Sequence, residues 1–299
     1  MKQWNSPFGP RTTADRVLDG LDVTEQNIVI TGANVGIGFE TARALAAHGA
    51  KVTLACRDAA KGDTAAEKIR KKHPNAKVDV RTLDLASLES VRAFAADLPD
   101  PSIDVLIANA GVFGGDYRET EEGIEWTVGV CHVGHFLLAD LLLERLEAGG
   151  GGRVVLVSSE GHKSPSTLDW DRFPLEPANF KPMVAYGQAK LCNILHAKEL
   201  QRRYGERGIS AYSLHPGTLV PTAIGRHSLV ARLLIQAIRP FTKSLGQGAA
   251  TSVLCAVHPD VADLGGEYFS DCTVARPSRE AETEETARRL WERSEEWVA

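Results

Sequence analysis

From residue 27 onward, short runs of β-branched residues alternate with longer runs whose apolar positions recur at helical spacing. The runs 27–31, 51–56, 77–83, 103–108, 153–158 and 209–214 predict strands, and 36–48, 59–72, 87–97, 124–147 and 184–204 predict helices. The connections are short and carry Gly, Pro, Asn or Asp, as right-handed βαβ crossovers require. The strands are apolar on both faces, RVVLVS at 153–158 most plainly, which marks a parallel sheet covered by helices on each side. The glycine run 149–152 falls inside the alternation and is read as the stop of the fifth helix rather than a linker. The expected organisation is an amino-terminal arm over 1–26, a single α/β domain over 27–276, and a helical extension over 277–299 held by Leu290, Trp291 and Trp297.

Two stretches break the rhythm. Residues 161–182 are polar and Pro-containing, long for a strand-to-helix connection, and placed to border a site. Residues 225–244 set Leu229, Val230, Leu233, Leu234, Ala237 and Ile238 at helical spacing beside Arg226, Arg232, Arg239 and Lys243. An amphipathic helix packed on the core, a lid over an apolar substrate and a membrane-surface helix are its three readings.

Composition narrows the class without choosing a chemistry. The chain has 299 residues, 43% hydrophobic and 24% charged, which excludes disorder and coiled coil as descriptions of the whole. A net charge of −5 gives no electrostatic reason to expect nucleic acid or anionic lipid as a partner. Cys56, Cys131, Cys192, Cys255 and Cys272 are scattered and never spaced CxxC, which fits a reducing compartment. The amino terminus lacks the apolar core of a secretion signal, and no run of about 18 uninterrupted apolar residues offers a membrane span. A cytoplasmic protein without a transmembrane segment is the expectation.

After the first strand comes TGANVGIG, with Gly32, Gly36 and Gly38 spaced GxxxGxG where the strand turns into a helix. Glycine lets backbone amides approach a pyrophosphate, and the helix N-terminus adds a favourable dipole. The common fingerprint GxGxxG is not met, since Thr41 stands where its last glycine would be. The second strand ends in Cys56, followed by Arg57 and Asp58. Arginine there suits a ribose 2′-phosphate and argues for NADP(H) over NAD(H), while Asp58 is read as a helix N-cap.

YGQAK puts Tyr186 and Lys190 four residues apart on one helical face, after a strand whose end carries Ser158 and Ser159. A phenol beside a fixed ammonium titrates below its ordinary value, which suits proton transfer to a carbonyl or from an alcohol. TGANVGIG, LDLAS, IANAG, VSS, YGQAK and HPG in this order resemble the short-chain dehydrogenase/reductase family, and EWTVGVCHVGHF and AYGQAKLCNIL resemble its retinol-dehydrogenase-like branch. The resemblance implies a Rossmann-type doubly wound sheet of about seven strands in the order 3-2-1-4-5-6-7. It further implies that Tyr186 is the general acid/base, that Ser159 bonds the substrate oxygen, with Ser158 a residual alternative, and that Lys190 binds the nicotinamide ribose. The cofactor would lie along Gly32, Asn34, Gly36, Ile37, Gly38, Arg57, Asp84, Leu85, Asn109, Ala110, Gly111, Tyr186, Lys190, Pro216, Gly217 and Thr218. The implied substrate is a lipophilic carbonyl or alcohol, and homodimers or homotetramers are common in the family.

Two positions depart from the family pattern. Cys131 stands where relatives carry a catalytic Asn that supports a helix bend, and thiols are weak hydrogen-bond partners. Reduced turnover or a differently held water follows, and Cys131 itself reads either as a buried inert residue or as a redox-sensing thiol. Pro221 stands where Thr is frequent, which puts carboxamide binding by Thr222 in doubt. No metal is expected of His132 and His135, which are read as packing or hydrogen-bonding residues. The rival to an enzyme is a nucleotide-binding regulatory or scaffold protein with weak or vestigial catalysis.

Overall fold

The computed structural model describes residues 4–165, 167–217 and 243–299. In chain order the main elements are α1 (Ala14–Leu18), β1 (Asn27–Thr31), α2 (Gly36–Ala47), β2 (Lys51–Cys56), α3 (Ala59–Lys72), β3 (Lys77–Thr82), α4 (Leu88–Asp97) and β4 (Val105–Ala108). There follow α5 (Trp126–Ala148), β5 (Arg153–Val157), α6 (Pro182–Tyr204), β6 (Ser210–His215), α7 (Leu245–Val257), β7 (Tyr268–Ser270), β8 (Thr273–Val274) and α8 (Glu284–Val298).

The strands form one sheet in the order β3-β2-β1-β4-β5-β6-β7-β8, parallel through β7. The period-two alternation of side chains divides the apolar residues between its faces. Ile28, Ile30, Val155 and Val157 face α2, α3 and α7, whereas Val29, Leu106, Val154 and Leu156 face α4, α5 and α6. This is the doubly wound arrangement that the βαβ alternation predicts. The chain reverses its direction of winding between β1 and β4, so a crevice opens there at the carboxyl ends of the strands.

Four features differ from the sequence reading. The helix expected over 124–147 starts at Trp126, capped by the Glu125 carboxylate on the amides of Thr127 and Val128, and it widens into a π-turn at Gly129–Val133. A methyl on Gly129 would meet Thr120 Cγ2 at 2.2 Å, and one on Gly134 the Leu85 carbonyl at 2.4 Å. The bulge is therefore flanked by close packing at both ends that only glycine permits, which no periodicity reveals. An eighth, antiparallel strand closes the edge through a turn at Asp271 and Cys272, both with positive φ. The residues before β1 contain α1, whose Ala14, Val17 and Leu18 are buried in the core with α2 and α7. The strands predicted over 77–83, 103–108, 153–158 and 209–214 are each shifted or trimmed by one or two residues. The stretch 225–242 lies outside the described residues.

By length and mean hydropathy of 1.5, Trp126–Ala148 would suffice to cross a membrane, but 83% of that window is buried inside the molecule. Its apolar character is accounted for by packing between the sheet, α4 and α6. The final helix α8 seals that side. Leu290 and Trp291 are buried, Trp291 meets Phe136 edge-on at 4.8 Å, and Trp297 meets Phe173 at 5.8 Å.

Candidate active site

A cavity of about 580 Å³ lies along the carboxyl ends of β1, β4, β5 and β6. Every sequence-predicted site residue lines it except Thr218, which is outside the described residues. Its β1 wall is backbone. Gly32 and Gly36 both have φ of +65°, in the left-handed region that favours glycine. A methyl on Gly32 would meet Ala110 Cα at 2.9 Å, and one on Gly38 would strike Asn109 Nδ2 at 2.3 Å. The missing side chains let the loop, the start of α2 and the end of β4 close on one another, and the Gly32 amide donates to the Ala55 carbonyl at 2.8 Å.

Asn109 and Ala110 are anchored to the same loop. Their amides donate to Thr31 Oγ1 at 3.0 and 2.9 Å, and Asn109 Nδ2 donates to the Thr31 carbonyl at 2.8 Å. With two amides on its oxygen, the Thr31 hydroxyl directs its own proton to His135 Nε2, 2.8 Å away. His135 Nδ1 then carries the ring proton and donates to the Cys131 carbonyl inside the π-turn at 3.1 Å. Burial pushes the His135 pKa down to about 4, so the ring is neutral. His132 Nε2 bonds Ser294 Oγ at 2.8 Å. Both histidines thus serve hydrogen bonding, and among the described residues no cluster of three or more His, Cys, Asp or Glu gathers as a metal site.

Beyond the end of β2, Arg57 is exposed and lines the cavity, whereas Asp58 does not. Asp58 caps α3 by accepting from the Lys61 amide at 3.1 Å and pairs with Lys61 Nζ at 2.6 Å, the N-cap role the sequence suggested. Asp84 Oδ1 accepts the amide of Ala86 at 3.0 Å, fixing the turn after β3.

The opposite wall is made of side chains tied across the fold. Lys190 is buried and donates to the Val157 carbonyl at 2.9 Å, an oxygen that also accepts from Asn193 Nδ2 at 3.1 Å. Ser158 Oγ donates to the Lys190 carbonyl at 2.6 Å, so its proton is committed to α6. Ser159 Oγ accepts from the Gly161 amide at 3.2 Å, which leaves its proton available. A methyl on Gly161 would sit 3.1 Å from the Tyr186 ring and 3.6 Å from Ser159 Oγ, so these two groups flank one small gap. The Lys190 ammonium is 5.8 Å from the centroid of the Tyr186 ring. A methyl on Gly111 would sit 3.2 Å from Lys190 Nζ and 3.6 Å from Cys131 Sγ, which places the thiol behind the lysine. Cys131 Sγ accepts the Val112 amide at 3.3 Å, and burial pushes its thiol up against the smaller opposing pull of Lys190. Of the two readings of Cys131, this environment matches the buried, protonated one.

Thr31, Val35, Val112, Trp126, Val130, Val157, Glu160 and His215 also line the cavity and were not singled out as site residues. Trp126 and Val130 lie one helical turn apart, and His215 belongs to the HPG motif, so a spacing signal existed for these three. The loop 161–182 borders the site through Gly161.

Comparison with known proteins agrees with this geometry. A family profile described as short chain dehydrogenase matches residues 26–169. The chain is 44% identical to the WW domain-containing oxidoreductase of Gallus gallus over 97% of this chain and 72% of that protein. It is 44% identical to retinol dehydrogenase 12 of Mus musculus, over 88% and 83% respectively. A crystal structure of an uncharacterized protein from Mycobacterium paratuberculosis superposes with a TM-score of 0.74 at 34% identity, covering 94% of this chain and 96% of that one. With sequence, sheet order and similarity along nearly its whole length in agreement, the chain belongs to the short-chain dehydrogenase/reductase family of oxidoreductases, which use NAD(P)(H).

Proposed function

We propose that the chain is an NADP(H)-dependent enzyme interconverting a carbonyl and an alcohol on a lipophilic small molecule. The observation that carries this reading is the meeting of Tyr186, Lys190 and Ser159 in one cavity with the glycine loop. The residues fit a dinucleotide: Gly32, Gly36 and Gly38 line the cavity where β1 passes into the N-terminus of α2, and a methyl on Gly36 would enter the open space there. Arg57 is placed to pair with a 2′-phosphate, and the competing carboxylate of Asp58 is already held by Lys61 and the α3 amides.

When bound, the cofactor supplies hydride for reduction and takes it back in oxidation. In the reductive direction Tyr186 Oη would deliver a proton to the carbonyl oxygen, and in oxidation it would take the proton from the alcohol. Ser159 donates a hydrogen bond to the same oxygen and holds it beside Tyr186. Lys190, steadied by the Val157 carbonyl, binds the nicotinamide ribose and places positive charge behind the phenol. Asp84, Asn109 and Pro216 line the remainder of the cofactor path.

The preference for an apolar substrate is supported by two exposed side chains. Phe113, 39% exposed, stands edge-on to the Tyr186 ring at 5.0 Å, and Met183, 61% exposed, lies three residues before Tyr186 on the same helical face. The test is NADPH oxidation against a panel of aldehydes, ketones and quinones, repeated with NADH. Turnover with NADPH on the more lipophilic members is the expected result. Cofactor binding without turnover on any member would favour the regulatory or scaffold reading instead.

A further inference from the structure

The carbonyl of Ser159 is held by a side chain that no motif singles out. After β5 the chain makes a 3-10 turn over Glu160–Lys163, and His162 on that turn is fully buried. Its Nδ1 lies 2.5 Å from the Ser159 carbonyl oxygen, and its Nε2 lies 3.0 Å from the backbone nitrogen of Ser278. A backbone amide can only donate, so Nε2 is the acceptor and Nδ1 carries the ring proton. One tautomer satisfies both bonds. Burial pushes the His162 pKa down, which keeps the ring neutral.

The ring stands at a joint of several elements. Its edge meets Tyr268 of β7 at 5.2 Å, and Tyr268 Oη donates to Glu160 Oε1 at 3.4 Å. The turn is pressed onto α6, since a methyl on Gly187, next to Tyr186, would lie 1.8 Å from the Ser164 carbonyl. Ser278 opens the segment that leads into α8. A single imidazole therefore connects the end of β5, β7 and the carboxy-terminal segment, on a turn that itself packs against α6 beside Tyr186.

We infer that His162 is a positioning residue that fixes the backbone of Ser159 against the carboxy-terminal segment at Ser278, so that this segment forms part of the active-site framework. The inference rests on the proposed role of Ser159 as the hydroxyl that bonds the substrate oxygen. Without the ring, the Ser159 carbonyl keeps only the backbone amide of His162 as donor, at 3.0 Å, and its tie to the carboxy-terminal segment is lost. A misplacement of about 1 Å at such a group lowers turnover by about a hundredfold.

The test combines kinetics with a spectroscopic reading of the ring in the full-length protein. His162→Phe fills the space without either hydrogen bond, and is expected to lower kcat about ten- to a hundredfold with little change in NADPH affinity. His162→Asn keeps an N–H donor near the Nδ1 position and should recover much of that loss. Ser278→Pro removes the backbone donor to Nε2 while leaving the Nδ1 bond to Ser159, and should give a smaller fall in kcat. In wild-type protein, nitrogen NMR should find the His162 ring as the Nδ1–H tautomer, a reading available even if a variant fails to fold. Wild-type kcat in His162→Phe, with Tyr186→Phe inactive, overturns this inference alone, as does an Nε2–H tautomer. Absence of turnover in the wild-type chain defeats the proposed function first and removes the basis of the inference with it.

Discussion

On the β1 side of the cavity the wall is main chain: Gly32, Gly36 and Gly38 let the loop close on Asn109 and Ala110 with no side chain between. On the β5 and β6 side the wall is side chain, and it is tied together by partners far apart in sequence. Ser158 reaches Lys190, Lys190 and Asn193 share the Val157 carbonyl, and His162 reaches Ser278. The first wall is specified by what eight consecutive residues leave out, the second by hydrogen bonds that exist only once the fold has formed. Substitutions in the two walls should accordingly fail in different ways.

The largest effect is expected from Gly38→Val. Its Cβ would overlap Asn109 Nδ2 and the Gly32 carbonyl, at a cost of about 1–3 kcal/mol of overpacking, and NADPH binding should be lost with it. Calorimetric titration and thermal melting check both parts; unchanged NADPH affinity would remove the backbone wall from the account. Arg57→Ala comes next. Losing a charged hydrogen bond of about 1.5–3 kcal/mol should weaken NADPH about ten- to a hundredfold and leave NADH nearly unaffected. An unchanged ratio of the two affinities would take Arg57 out of the cofactor argument.

The smallest effect concerns the packing behind the side-chain wall. His196 is buried between His132, Phe136 and Trp291, and neither of its ring nitrogens has a hydrogen-bond partner among the described residues. Burial pushes its pKa down to about 3, and that of His135 down to about 4. The unfolded chain therefore takes up protons below the ordinary histidine value of about 6.5 that the folded chain refuses. Stability should fall as pH drops through that window and be insensitive to these groups above it. Urea midpoints between about pH 7 and 5 test this. His196→Phe should raise the unfolding free energy by about 1 kcal/mol and flatten its dependence on pH; a steeper dependence would contradict the neutral-ring assignment.

Legibility in the sequence follows the same divide. Short-range features could be read directly: β-branched runs as strands, the glycine loop, the Asp58 cap, and Tyr186 with Lys190 on one helical face. The π-turn at Gly129–Val133 could not, because the apolar pattern of α5 runs through it and the close approaches at its two ends are to Thr120 and Leu85 from other segments. The Thr31–His135 and His162–Ser278 links escaped for the same reason, as their partners lie far apart in sequence. The β7–β8 hairpin carried no Asn-Gly or Asp-Gly signal, its positive-φ positions being Asp271 and Cys272. Cys131 shows that a departure from a family pattern can be recognised in sequence while its meaning needs the fold: the bend is present, and the His135 proton satisfies a carbonyl inside it.

The central claim is that the side-chain wall moves a proton while the backbone wall holds the cofactor, and Tyr186→Phe separates the two most directly. NADPH binding and steady-state NADPH oxidation should be measured on the same preparations of wild type and variant, with a lipophilic aldehyde. The account predicts unchanged NADPH affinity and a kcat lower by about 10²–10⁴, the usual contribution of a positioned acid or base. Equal turnover in the two proteins would contradict it.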